Sequence, residues 1–303
     1  MKNINQLFTL NSSIQPLLTN IYNFKRFKGN YVLISCIEKR DKHGDSYWVL
    51  ELSDISATIK VYCFNLNVNF KQLNPNAIIH VEATLKEKHG QHYVRGAFIQ
   101  PVSKTSQLSH ISVNLLPHGY CAKPNLLIRF KHLVDQIQSS SLKQFLAQVL
   151  IDDLVSYRYL QCPASLRHHH NFAGGLLEHS IEVAEYLLCE NTFNKKEYDI
   201  AIVAALLHDI GKTKTITTNG TRTAIGMMVD HDELTLEICG FALAQLDKRE
   251  PHTAMLLRHV WTCASPNARY GYQAITPIAT ALQAADKKSA SNVNTININT
   301  KIA

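Results

Sequence analysis

The sequence predicts two domains of different class, a small five-stranded β-barrel followed by an all-α domain, and three observations predict it. Short runs rich in β-branched and aromatic residues, punctuated by turn chemistry, fill the first hundred residues. Apolar residues at helical spacing fill most of the chain after Leu126. A polar stretch of roughly 20 residues lies between the two patterns. At 303 residues, each half is long enough to bury a core.

Five segments read as strands within about residues 20–102: YVLISCIEK, SYWVLELSD, ATIKVYCFN, AIIHVEATLKEK and HYVRGAFIQPV. Lys42-His43-Gly44-Asp45 and Lys88-His89-Gly90 supply turns between them. NLNVNFKQLN, between the third and fourth, reads as a short helical or irregular piece. An SH3-like barrel has the same strand count, but the added segment favours an OB-fold, expected over residues 1–102.

Residues 103–125 are polar and read as a linker. The all-α domain is expected over residues 126–290, from LLIRFKHLVDQIQ, LKQFLAQVLIDDLVSYRYL, GLLEHSIEVAEYLL, YDIAIVAALLHDI, DELTLEICGFALAQL, PHTAMLLRHVW and PIATALQAADKKSA. The Asn- and Thr-rich end, residues 291–303, reads as a flexible tail. No internal repeat stands out.

Composition narrows the function. The longest apolar run, IAIVAALL, is well under half of a membrane-spanning stretch. MKNINQLFTLNSS has no apolar signal core, and the seven cysteines form no CxxC pair. A cytoplasmic protein with reduced thiols and no membrane partner is expected. The net charge of +7 is unevenly placed: residues 1–110 carry 13 Lys/Arg against 7 Asp/Glu, and the rest 18 against 17. A basic module beside a neutral one suits a polyanionic partner, or else the charge simply keeps the surface soluble.

Within the barrel, Tyr47, Tyr62, Lys60, Lys86, Lys88 and Arg95 combine aromatic faces with positive charge. Such residues hold single-stranded RNA or DNA by base stacking and phosphate attraction, or else the aromatics are ordinary barrel packing. Strand alternation sets Tyr47, Val49 and Glu51 on one face and Trp48, Leu50 and Leu52 on the other. Trp48 is expected in the core, and Tyr47 is the better stacking candidate. Alternation likewise puts Lys60 beside Tyr62.

In the helical half, His179, the pair His208-Asp209, and Asp286 each sit in an apolar helical stretch. An unpaired charge there is costly, and a lone His or Asp would be an ordinary satisfied core group. Four such residues from three helical stretches form a donor set suited to a divalent transition cation, with positions open to water or phosphate oxygens.

The flanks GGLLEHSIEVA and ALLHDIGK, with the later Asp286, resemble the H…HD…D signature of the HD-domain metal-dependent phosphohydrolases over about residues 160–290. The resemblance implies that His179, His208, Asp209 and Asp286 are metal ligands, with Asp209 able to bridge a second ion. Lys212 would supply charge to a substrate phosphate or pair with a nearby carboxylate. A barrel, a helical connector and the phrase PASLRHHHNFAGGLLEHS are similar to the YhaM-type 3'-5' exoribonucleases. There His169 and His170 match a family His pair, while His231 and His259 match histidines that would hold a second ion or receive phosphate. Arg167 and the pair His169 and His170 would contact substrate phosphate, or else pack at the helix entrance. Downstream of His259 that family carries an adjacent His pair; this chain has WTCASPN, with Thr262 and Cys263, which leaves the second metal shell open. The PAS…HH…GGLLEHS phrase also resembles the TraI-type relaxase HD domains of mobile elements.

The expected activity is a metal-dependent 3'-5' exonuclease on single-stranded RNA or DNA, using one or two ions. Mn2+ is expected, with Fe2+, Co2+ or Ni2+ as alternatives. Two other readings remain: a nucleotide phosphohydrolase whose barrel serves assembly as a homo-oligomer, and a non-catalytic nucleic-acid-binding accessory protein.

Overall fold

The computed structural model describes residues 15–102, 111–189, 193–266 and 268–299. It divides into two compact units, Met1–Gly119 and Tyr120–Ala303.

In the first unit, β1 (Arg26–Arg40), β2 (Ser46–Ser53), β3 (Thr58–Cys63), β4 (Ile78–Lys88) and β5 (Gln91–Pro101) close a barrel in the order β1-β2-β3-β5-β4. Neighbours run antiparallel except β3 and β5, which are parallel. The long β1 serves two partners: its first half pairs with β4 and its second with β2, with a register shift between Leu33 and Ser35. Such an irregularity bends one strand so that it can close the barrel. Alternate side chains fill the interior, among them Leu50, Leu52, Val61, Ile79, Val81 and Val94. Trp48 packs against this core with its ring stacked on Phe70 at 5.3 Å. Phe70 opens the 3-10 turn Phe70–Gln72, which lies in the segment read as short or irregular. The barrel is OB-like, as the strand pattern predicts.

The stretch expected to be a linker differs from Ile111 onward; residues 103–110 lie outside the described ones. Asn114 O accepts the Ile55 N–H at 2.8 Å, His118 N–H donates to Asp54 O at 2.9 Å, and Gly119 N–H donates to Ser53 Oγ at 3.0 Å. These bonds tie residues 114–119 to the β2–β3 turn, so the barrel unit extends to Gly119. Asp54 organises that turn. Its buried carboxylate accepts the N–H groups of Leu18, Ser56 and Ala57 and the Ser56 hydroxyl.

The second unit is helical: α1 (Asn125–Gln136), α2 (Ser140–Leu150), α3 (Asp153–Gln161), α4 (Gly175–Leu188), α5 (Lys195–Leu207), α6 (Lys212–Thr215), α7 (His231–Arg249), α8 (Pro251–Thr262) and α9 (Pro277–Asn299). The described β content here is one isolated bridge, Ile216 to Arg222. The run LKQFLAQVLIDDLVSYRYL breaks into α2 and α3, because Asp152 accepts the N–H groups of Leu154 and Val155 and starts a new helix. α5 opens with a capping box formed by Asn194 and Glu197. Every residue from Asp199 to Leu207 is buried, as befits a central helix apolar on all sides. α9 continues to Asn299 where a flexible tail was expected from residue 291; residues 300–303 lie outside the described ones. Among the described residues, no helix is long and apolar enough to cross a membrane.

Candidate functional site

Three side chains brace the end of α5, where the His-Asp pair sits. Trp261 Nε1–H donates to Ala204 O at 3.0 Å, the Tyr159 hydroxyl donates to Leu206 O at 2.8 Å, and His208 Nδ1 meets Ala205 O at 2.7 Å. The carbonyls that a helix end leaves without partners are thereby satisfied in a dry environment. A carbonyl only accepts, so the His208 proton is on Nδ1 and its Nε2 presents a lone pair. Gly211 then lets this turn meet α7: a Cβ there would overlap the His231 carbonyl. The entrance to α4 is built similarly. Gly174 adopts φ +80°, and a Cβ on Gly175 would overlap the His170 carbonyl.

His179 from α4, His208 after α5 and Asp286 from α9 converge, each offering a ligand atom within 4.8 Å of the others. His179 Nε2 lies 3.2 Å from His208 Nε2, 3.1 Å from Asp286 Oδ1 and 3.4 Å from Asp209 Oδ2. His208 Nε2 is likewise 3.4 Å from Asp209 Oδ2. Two imidazole lone pairs and two carboxylates facing one another repel unless a proton or a cation lies among them. The electrostatics agree. Burial alone would lower His179, yet the Asp209 and Asp286 carboxylates push it up to about 9. Burial would raise Asp286, but the His179 and His208 rings beside its carboxylate hold it below the usual carboxylate range. Asp209 is opposed by burial in the same way and held well down by Lys212 and His208. The donor set therefore fits a divalent cation. The Asp286 side chain is 46% exposed and the His179 side chain 1%, so solvent and substrate have access from the Asp286 side.

The remaining candidates divide. His231 Nε2 lies 3.0 Å from Asp209 Oδ1 and Lys212 Nζ donates to Asp209 Oδ2 at 2.6 Å, so both hold the Asp209 carboxylate from outside the cluster. His169 is near the cluster, its ring 5.3 Å from that of His179. Burial first, then the positive His179 and Lys212, push it down to about 4, so it is neutral near pH 7. His170 differs from the expected phosphate contact: it is buried, with Nε2 3.2 Å from Glu182 Oε2. Arg167 is exposed, and among the described residues no contact joins it to the cluster. His259 is not in the group; its Nε2 accepts the Ile275 N–H at 3.2 Å. Thr262 and Cys263 are also engaged elsewhere, with the Arg258 carbonyl and with Gln283. Sequence reasoning missed Glu182 and Ser289, which lie three residues after His179 and Asp286. That spacing on one helix face was the available signal.

On the barrel, strand register puts all six nucleic-acid candidates on one outer face. Tyr62 pairs with Arg95 across β3 and β5, Thr84 with Arg95 and Lys86 with Tyr93 across β4 and β5, and Glu51 with Lys60 across β2 and β3. Lys88 follows Lys86 by two residues and Tyr47 precedes Glu51 by four, so both share that face. Tyr47 stacks on Phe64 at 5.1 Å, Tyr62 meets Tyr93 edge-on at 6.1 Å, and Arg95 lies 5.7 Å above the Phe64 ring.

Residues 176–291 match the family model described as HD domain. The chain thus follows an OB-like barrel with a helical unit that contains an HD-domain match. It is similar to the 3'-5' exoribonuclease YhaM of Oceanobacillus iheyensis, at 21% identity over 82% of this chain and 78% of that protein. It is also similar to the protein of the same name from Halalkalibacterium halodurans, at 21% identity over 76% and 72% of the two chains. A dihydroneopterin 2',3'-cyclic phosphate phosphodiesterase of Methanocaldococcus jannaschii is 34% identical over 96 residues, covering 30% of this chain and 37% of that protein.

Proposed function

We propose that the protein is a cytoplasmic, metal-dependent 3'-5' exoribonuclease that captures single-stranded substrate on its barrel and hydrolyses it at the HD site. The observation that carries this reading is the convergence of two imidazole Nε2 atoms and the Asp209 and Asp286 carboxylates. The names of the YhaM relatives, matched over most of their length, support RNA and 3'-5' polarity. The basic, aromatic barrel face favours a polymeric substrate over a free nucleotide.

His179, His208, Asp209 and Asp286 would hold the ion, taken as Mn2+, though the same imidazole and carboxylate donors suit Fe2+, Co2+ or Ni2+. Such an ion supplies Lewis acidity toward a phosphoryl oxygen and lowers the pKa of water. Lys212 and His231 fix Asp209 by one bond to each oxygen, so its carboxylate is oriented before substrate arrives. His169, neutral beside the cluster, can contact a phosphate oxygen through a ring N–H. His259 Nε2 is bonded to the Ile275 N–H, which favours one ion over two in this reading.

The test is end-labelled single-stranded RNA and DNA incubated with Mn2+-loaded protein. The expected products are mononucleotides and a ladder shortening from the 3' end. Asp209→Ala should abolish hydrolysis, on the order of a thousandfold or more by loss of the electrostatic stabilisation, while sparing salt-dependent strand binding. Undiminished cleavage by that variant would place the chemistry elsewhere. Cleavage of free nucleotides alone would favour the nucleotide phosphohydrolase, and binding without cleavage the accessory protein.

A further inference from the structure

A histidine that turns Nε2 toward a cation is defined by what its Nδ1 meets, because the partner of one nitrogen sets the protonation of the other. His179 Nδ1 lies 3.0 Å from the hydroxyl of Ser289, and both residues are fully buried. A serine hydroxyl has one proton, and Ser289 donates its own to Glu182 Oε2 at 2.8 Å. Toward His179 it can therefore only accept, which keeps a proton on Nδ1, so that the neutral ring a cation requires has its Nε2 lone pair facing the cluster. Glu182 is held in turn by His170, whose Nε2 lies 3.2 Å from the same carboxylate oxygen. His170 is 2% exposed and its Nδ1 has no hydrogen-bond partner. With the proton on Nε2, only a lone pair is left unmet there, rather than a costlier N–H. The donations thus run from both ends, His179 through Ser289 and His170 directly, and meet on Glu182.

Two helices supply this chain at matched spacing. Glu182 follows His179 by three residues on α4, and Ser289 follows Asp286 by three on α9. Residues three apart share a helix face. One face of α9 therefore grips both nitrogens of a single ring, Asp286 at Nε2 and Ser289 at Nδ1.

We propose that Ser289 and Glu182, anchored by His170, are positioning residues that lock His179 in its Nδ1–H form and thereby set the affinity of the site for a divalent ion. This rests on the metal site argued above. Neither residue touches substrate. The relay acts through the orientation and basicity of His179.

The experiment titrates Mn2+ calorimetrically into chelator-stripped full-length protein and into Ser289→Ala, Glu182→Ala and Glu182→Gln. Wild type should bind the ion, and Ser289→Ala and Glu182→Ala should bind it about 10–100-fold more weakly, as expected for outer partners of ligand histidines. Glu182→Gln, whose amide oxygen still accepts from Ser289, should retain more affinity than Glu182→Ala. The Co2+ visible spectrum should change in Ser289→Ala, while metal-free circular dichroism and the urea midpoint stay close to wild type. Wild-type affinity in Ser289→Ala overturns the relay and leaves the metal site standing. Absence of binding by the wild type overturns both. If Ser289→Ala does not fold, equal affinities for wild type and Glu182→Ala overturn the relay on their own.

Discussion

Gly211 shows how narrowly the site is set at the level of single residues. It follows the His208-Asp209 pair, and any side chain there would enter the His231 carbonyl at the start of α7. Gly211→Ala must push that turn away from α7 and loosen the His231 hold on Asp209. The expected cost is about 1–3 kcal/mol of stability, as for other overpacked sites. It is measured as a lowered urea midpoint, and an unchanged midpoint would mean the backbone yields freely. At this scale the sequence makes the inner residues readable and hides the outer ones. His179, His208, Asp209 and Asp286 are legible because histidine and aspartate in apolar helices demand an explanation. Glu182 and Ser289 raise no such demand, since glutamate is common on helix surfaces and serine is tolerated anywhere. His259 shows the converse: its residue type fits a ligand, while in the structure a backbone N–H of the following loop meets its Nε2.

At the scale of elements, periodicity located every strand and most helices, but it could not see where local hydrogen bonds interrupt or extend them. Apolar spacing continues across Ile151 and Asp152, and only the Asp152 side chain capping two N–H groups breaks it. The end of the chain fails in the other direction, because the polar composition after residue 290 does not prevent α9 from running on to Asn299. Strand alternation did better. It assigned Tyr47 and Tyr62 to the outer face, and the register adds Phe64, Tyr93 and Arg95 to the same surface. Two substitutions on that surface separate stacking from charge. Tyr62→Ala should weaken single-stranded RNA binding by about 1–3 kcal/mol with little change in salt dependence, as for loss of a stacked base. Arg95→Ala should lower the slope of log affinity against log salt by about 0.7, one phosphate contact on a single strand. Filter binding across a salt series measures both, and unchanged affinity in both variants would return these aromatics to ordinary barrel packing.

For the whole molecule, charge and hydropathy patterning separated a basic barrel from a near-neutral helical unit, and the structure divides at Gly119. The boundary lies beyond residue 102 because residues 114–119 bond to the β2–β3 turn, a long-range attachment no local pattern announces. The proposed division of labour, strand capture by one unit and hydrolysis by the other, requires the helical unit to hold an ion at one point. Crystals of the full chain grown with Mn2+ and measured at the manganese absorption edge test this most directly. The account predicts an anomalous peak among His179 Nε2, His208 Nε2, Asp209 Oδ2 and Asp286 Oδ1. A fully formed HD unit with no peak there, in crystals grown at saturating Mn2+, would contradict it.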